Sequence, residues 1–420
     1  MSEPTVPLAA TTMRVGYYGD DFTGSVDVLL QFARHGWSGR LFVGVPDAER
    51  LREAASAHDV VGIAGIARSL PTARIEAEVR PALEALRALG PRIVQYKACS
   101  TADSSPSIGS IGRVVELGRE IIGERPVPML FAQPDFGRYT VFGTHFAAEN
   151  GVIHRLDRQP TMSTHPSTPM HEADLARHIG AQTSLPIGGI PRTAYAGLGE
   201  SLRRSPQAAV VLDALDNADA AIVGRAVLDA PAPVFAIGSG GLSWGIGAAD
   251  PGDAVALPTS TPSRGPVLAV SGSRSAQTRR QLEHAKAAGW LVAPLSFTDQ
   301  AAQIALVRAA LETGRSVALT SDDAPAASDT LERIATIAAD AIRGAADLAR
   351  RIIVAGGDTS GRVTRLLGVT SLEIAANPIG NVVLLRAASD DPDIDGLELL
   401  LKGGQVGAET LFDDIRSLGS

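Results

Sequence analysis

Two acids in a row, Asp20 and Asp21, follow an apolar run ending in Gly19 and precede Phe22-Thr23-Gly24-Ser25. Carboxylates so placed can deprotonate a hydroxyl or hold a cation, although an Asp before such a run also serves as an ordinary helix cap. Arg68 and Lys97 each close another apolar run. A guanidinium and an ammonium together can grip a carboxylate, the arginine through two parallel hydrogen bonds; taken singly they suit exposed surface equally well. Ser100, Thr101 and Asp103 follow Lys97 and add hydroxyl donors and a third acid. Nothing beside Cys99 argues for a nucleophilic thiolate.

A second group is glycine-rich. Gly356-Gly357-Asp358-Thr359-Ser360-Gly361 reads as a turn between a buried-type strand and a short helix, where backbone N–H groups can approach phosphate oxygens. Ser271-Gly272-Ser273 and Lys402-Gly403-Gly404 are weaker signals of the same kind. The chain contains no Gly-Lys-Ser or Gly-Lys-Thr, so the P-loop lysine is missing, and the glycine spacing is not Gly-x-Gly-x-x-Gly. Gly241-Leu242-Ser243-Trp244-Gly245 fits a nucleophile elbow and makes a serine hydrolase using Ser243 the rival reading. Only His284 follows it, inside a helix-like run. Five of the eight histidines lie between His145 and His178, without a His-x-His or His-Glu-x-x-His pair. They suit hydrogen bonding or substrate contact, His165 foremost, better than a metal site.

Apolar runs of strand length lie at 13–18, 39–44, 60–67, 92–96 and 129–132, with helical spacing over 72–89 and 107–123. The pattern loosens over 133–186 and returns as strand, helix, strand over 208–237. Residues 248–266, rich in Pro, Gly, Ser and Thr, read as a linker. Beyond it strands are expected at 267–270, 291–294, 317–320, 352–355, 371–375, 382–386 and 397–401, with helices at 276–288 and 328–350. Such alternation predicts an α/β protein with mostly parallel sheets in two domains, the active groups lying at carboxyl ends of strands.

The 420 residues suffice for two cores, and the net charge of −8 argues against a broad nucleic-acid surface. With one cysteine, no signal-like start and no apolar run of membrane-spanning length, the chain reads as a cytoplasmic protein with no membrane partner. Residues 1–12 read as a loose tail.

In this order the motifs Gly19–Gly24, Ser271–Ser273, Gly356–Gly361 and Lys402–Gly404 resemble the four-carbon acid sugar kinases, nearly end to end. These are ATP-dependent enzymes that phosphorylate a hydroxyl of small sugar acids. The resemblance implies a sugar-acid-binding domain over 1–250, a nucleotide-binding domain over 251–420 and an active site in the cleft. It also implies ATP and Mg2+ as cofactors, with no metal-holding residue singled out, and it admits a homodimer. Catalysis falls to Asp20 and Asp21. Arg68, Lys97, Ser100, Thr101 and His165 would meet the sugar acid. Ser271, Ser273, Gly356, Gly357, Asp358, Thr359, Gly403 and Gly404 would meet the nucleotide. The chain departs from the family's Lys-x-Asp-Ser-Thr-x-Arg-Gly segment by carrying Cys99 for the Asp and Asp103 for the Arg. That loss of a cation disfavours a linear tetronate or threonate. The runs 97–109 and 160–170 look like the branch that acts on 3-oxo-isoapionate, a branched sugar acid.

Overall fold

Parallel strands covered by helices on both faces need no polar alternation, and in β1 (Val15–Gly19), β3 (Val60–Ala64) and β4 (Ile93–Lys97) every residue is buried. The structure, a computed structural model, describes residues 13–253, 256–322, 324 and 329–418. The expected tail over 1–12 lies outside them. The chain divides into two compact units, Met1–Val255 and Ala256–Ser420. No described helix is long and apolar enough to cross a membrane.

The first unit also contains β2 (Gly39–Val43), β5 (Val127–Leu130), β6 (Arg138–Val141), β7 (Thr144–Glu149) and β8 (Val152–Arg155), then β9 (Ile187–Ile190), β10 (Ala209–Leu212) and β11 (Val234–Gly238). Its main sheet is parallel throughout, in the order β2-β3-β1-β4-β11-β5-β10-β9. From β1 the chain runs to β2 and β3 on one side and then crosses to β4 on the other. Strand order thus reverses at β1, and a crevice is expected beyond its carboxyl end. The helix Thr72–Ala88 packs on one face through Ile75, Val79, Leu83 and Leu86, which join one continuous core with the helix Ile111–Ile122.

Strands β6, β7 and β8 form a separate antiparallel sheet within the stretch where the sequence pattern loosens. Its hairpins turn on Gly143 and Gly151, both at positive φ, and β8 is largely exposed. The short, weakly apolar alternation explains why the sequence did not announce it.

The second unit contains β12 (Val267–Ser271), β13 (Leu291–Pro294), β14 (Val317–Thr320) and β15 (Arg351–Ala355), then β16 (Val369–Ile379), β17 (Val382–Ser389) and β18 (Glu398–Lys402). Within the unit the order is β13-β14-β12-β15-β18-β17-β16. The strands from β13 to β18 in that order are parallel, and β17 and β16 add an antiparallel hairpin. A helix at Gln300–Glu312, absent from the sequence reading, buries only Gln303, Val307 and Leu311. The expected long helix over 328–350 stops at Arg343, before Gly344, and Ser328 lies outside the described residues.

Ser243 is not a nucleophile elbow. It lies in the middle of the helix Gly240–Ala249, has no exposed surface, and its hydroxyl bonds Gln95 Oε1 at 3.1 Å. The motif's glycines serve packing: a Cβ on Gly241 would lie 1.9 Å from Ala132 O, and one on Gly245 2.2 Å from Ala220 O. The helix Asn217–Leu228 meets this helix at Gly224, where a Cβ would lie 2.0 Å from Gly245 O. Gly224→Ala is therefore expected to cost about 1–3 kcal/mol, the usual price of overpacking, read as a lower urea midpoint with an unchanged slope.

Candidate functional site

Asp21 caps the helix Phe22–Ala33, its Oδ1 accepting from Gly24 N at 2.9 Å. Glycine is required at 24, since a Cβ there would lie 2.4 Å from Asp21 Oδ1 and 2.8 Å from Lys97 Nζ. After β3 a single 3-10 turn, Ala67–Ser69, brings Arg68 back over the end of β1, with Arg68 N bonding Asp20 O. Its Nε and Nη2 donate to Asp20 Oδ2 and Oδ1 at 3.2 and 2.8 Å, and Nη2 also donates to Asp21 Oδ1 at 2.8 Å. Two guanidinium nitrogens are thereby engaged, leaving Nη1.

Asp20 is 3% exposed with both oxygens engaged, whereas half-buried Asp21 keeps Oδ2 without a partner among the described residues. Burial raises the Asp20 pKa above its ordinary value, and the neighbouring Arg68 charge opposes the rise. Burial works against the charge on Arg68, and Asp20 and Asp21 outweigh it. Lys97, the last residue of β4, is also 3% exposed, yet its ammonium has no hydrogen bond or ion pair among the described residues.

The loop after Lys97 is tightly held. Ala102 sits at φ 51, a left-handed conformation uncommon for a residue with a Cβ. His145 Nε2 bonds Ser100 O at 2.8 Å, and its Nδ1 lies 2.9 Å from Thr140 Oγ1. A carbonyl only accepts, so Nε2 carries the proton and Nδ1 accepts from the Thr140 hydroxyl. Burial pushes the His145 pKa down to about 3, so the ring stays neutral. His178 Nε2 and Gln182 Nε2 hold Ser104 Oγ at 3.0 and 2.9 Å. Thr101 Oγ1 donates to buried Asp103 Oδ1 at 2.7 Å, and Cys99 Sγ lies 3.1 Å from Thr101 Oγ1. The threonine's one proton goes to Asp103, so the thiol donates; burial pushes its pKa up and Asp103 adds to the rise. Asp103, read from the sequence as a third acid, holds the loop through Thr101, and His145 is a structural partner of the loop that the site reading left out. No spacing rule connects residue 145 with residue 100. His165 instead accepts from Thr168 N at 3.1 Å, inside its own loop.

In the second unit the parallel register sets Ser271, Ala355 and Lys402 side by side at the ends of β12, β15 and β18. The segment Gly356–Gly361 is not a turn. Gly356, at φ 119, caps a helix that begins at Gly357, so Thr359 and Ser360 lie buried in its first turns. Ser360 Oγ bonds Val354 O at 3.2 Å, and Thr359 Oγ1 fills the space a Gly272 Cβ would take, 2.1 Å away. Gly357 and Asp358 are exposed. Ser273 and Ser275 share a hydrogen bond of 3.2 Å, and Ser275 and Thr278 both donate to Gly404 O. A Cβ on Gly404 would crowd Ser273 Oγ at 2.7 Å, whereas Gly403 has only Val406 nearby, at 3.7 Å. Lys402 is 1% exposed, and its Nζ donates to Thr278 Oγ1 at 3.0 Å. Burial pushes its pKa down to about 8.

Among the described residues no three or more His, Cys, Asp or Glu cluster so as to hold a metal ion. A Mg2+ at this site would therefore rest mainly on phosphate oxygens and water, its usual habit in phosphate chemistry.

Residues 15–246 match the family described as Sugar-binding N-terminal domain, and residues 268–412 match Nucleotide-binding C-terminal domain. The chain belongs to the four-carbon acid sugar kinase family. It is 37% identical to a 3-oxo-isoapionate kinase of Paraburkholderia graminis, over 99% of this chain and 97% of that one. A 3-oxo-tetronate kinase of Methylobacterium radiotolerans is 31% identical, covering 96% of this chain and 98% of its own. A crystal structure of a Salmonella typhimurium LT2 protein shares the fold with a TM-score of 0.79 at 24% identity, covering 96% of this chain and 98% of that one.

Lys402 binds its proton less tightly in the folded chain (about 8) than at its ordinary 10.5. Across that window the unfolded state holds more protons, so folding stability rises with pH. Part of the rise in thermal midpoint between pH 8 and 10.5 should be missing in Lys402→Met, scanned in parallel with the parent protein.

Proposed function

We propose that this chain transfers the γ-phosphoryl group of ATP to a hydroxyl of 3-oxo-isoapionate, giving 3-oxo-isoapionate 4-phosphate. The second reading keeps the reaction and changes the acceptor to a linear acid such as 3-oxo-tetronate or threonate, as in other relatives. The observation that carries the proposal is Lys97, a buried ammonium at a strand end that feels the charge of Asp20 but makes no hydrogen bond or salt bridge among the described residues, while both nearby carboxylates are bonded to Arg68. Such a charge is costly to bury unpaired, and the carboxylate of a sugar acid would neutralise it. Arg68 Nη1 adds two further donors.

Phosphoryl transfer asks mainly for positioning and charge neutralisation. Asp21, whose Oδ2 is uncommitted, orients and deprotonates the attacking hydroxyl. Asp20, tied at both oxygens, fixes Arg68. Ser100 and Thr101 line the same loop, and His165 remains a proposed substrate contact. Ser271, Ser273 and the backbone of Gly356, Gly357, Thr359, Gly403 and Gly404 receive the nucleotide. Mg2+, when bound with ATP, neutralises the β- and γ-phosphates; Asp358, exposed in a first helical turn, is the nearby carboxylate for its hydration shell. Asp103, standing where the family's segment carries Arg, removes a cation from this loop, and that reshaped clamp supports the branched acceptor. A cytoplasmic home and a homodimer belong to the same proposal.

Asn caps helices as well as Asp does, so Asp21→Asn should fold normally while turnover drops at least ~100-fold, the scale of positioned proton transfer. Near-parental turnover would remove Asp21 from that role. ATP consumption against a panel of branched and linear oxidised sugar acids should be fastest with 3-oxo-isoapionate. A clear preference for 3-oxo-tetronate would favour the second reading.

A further inference from the structure

Lys402 is the one charged residue of the glycine-rich strand ends that the roles above leave unused. Its side chain turns inward from the end of β18 to the start of the helix Ala276–Ala287, where Nζ meets Thr278 Oγ1 at 3.0 Å. Ser275, the cap of that helix, and Thr278, in its first turn, spend their own protons on Gly404 O. An ammonium has three protons to give, and this one has a single hydrogen-bond partner among the described residues. No salt bridge reaches it, and no acid contributes to its pKa, which burial alone depresses.

The position is also electrostatically wrong for an empty protein. The first turn of a twelve-residue helix carries partial positive charge, so a cation there is repelled as well as desolvated. Both costs vanish when an anion is present. The peptide N–H groups of a helix start, three small hydroxyl residues and the glycines at 272, 356 and 403 all favour the same kind of guest, a phosphate. A carboxylate from the protein would satisfy Lys402, and none among the described residues makes a salt bridge to it.

We propose that Lys402 is the cation that receives the polyphosphate chain of the nucleotide in the C-terminal unit. The lysine that a P-loop carries inside its glycine loop is here supplied from the end of a neighbouring strand. The inference rests on the kinase reading only for the name of the nucleotide; the anion itself is argued from the buried ammonium at the helix start.

The test compares the full-length protein with Lys402→Met and with Lys402→Gln, which keeps a hydrogen bond to Thr278. Each is titrated with ATP, inorganic tripolyphosphate and adenosine by calorimetry, and each is melted without ligand. Expected is a loss of at least ~30-fold in affinity for ATP and tripolyphosphate in both variants. Adenosine binding should be unchanged, and the unliganded melting temperature of Lys402→Met equal or higher, since a desolvated charge has been removed. Unchanged affinity for both anions would overturn the proposal and leave the kinase reading intact. A lowered melting temperature with parallel loss of adenosine would make Lys402 merely structural and overturn it likewise. Lys402-dependent binding of tripolyphosphate with no binding of ATP would overturn the proposal as made for a nucleotide and sink the kinase reading with it. Parent protein that binds neither anion would overturn both.

Discussion

A charge withdrawn from water must be met by an opposite charge or by hydrogen bonds, or it destabilises the fold that holds it. The sequence places two lysines, Lys97 and Lys402, as the final residues of buried parallel strands, and neither makes a salt bridge among the described residues. Arg68, in contrast, is paired with Asp20 and Asp21. The difference separates the arginine, which is tied into the protein's own carboxylates, from the lysines, which are proposed above to meet anionic substrates.

Rigidity around Lys97 comes from neutral groups. His145 is held uncharged by burial and serves as a fixed donor to Ser100 O, while His178 and Gln182 secure Ser104. These bonds keep Ala102 left-handed, a conformation costing of order 1 kcal/mol that persists only where the surroundings over-determine it. A charged imidazole at either position would have added to the local positive field. The neutral ring orients the loop and leaves the electrostatics to Lys97, Arg68 and the three acids.

Much of this was legible beforehand, for physical reasons that can be named. Buried parallel strands announce themselves as apolar runs, and the polar residue that ends each run marks the open edge of the sheet; Asp20, Arg68 and Lys97 were readable in that way. The contact between His145 and Ser100 was not, since tertiary pairing alone joins them. The glycines around Ser243 misled for the opposite reason: close helix packing and a strained catalytic turn both demand residues without a side chain. Gln300–Glu312 escaped because alanines blur helical periodicity. A short helix after the glycines was readable, but not that it begins as early as Gly357, which buries the Thr359 and Ser360 side chains.

The strand order of the N-terminal unit has one more implication. β11 is the last strand of that unit to be made, and it lies between β4 and β5, in the middle of the sheet. A nascent chain emerging from the ribosome therefore carries an incomplete sheet, with two unpaired interior edges, until residue 238 is free. Pairing across such sequence separation is slow, and exposed edges invite misassembly. A protein cut short anywhere before that strand would lack the centre of its own sheet rather than a peripheral piece.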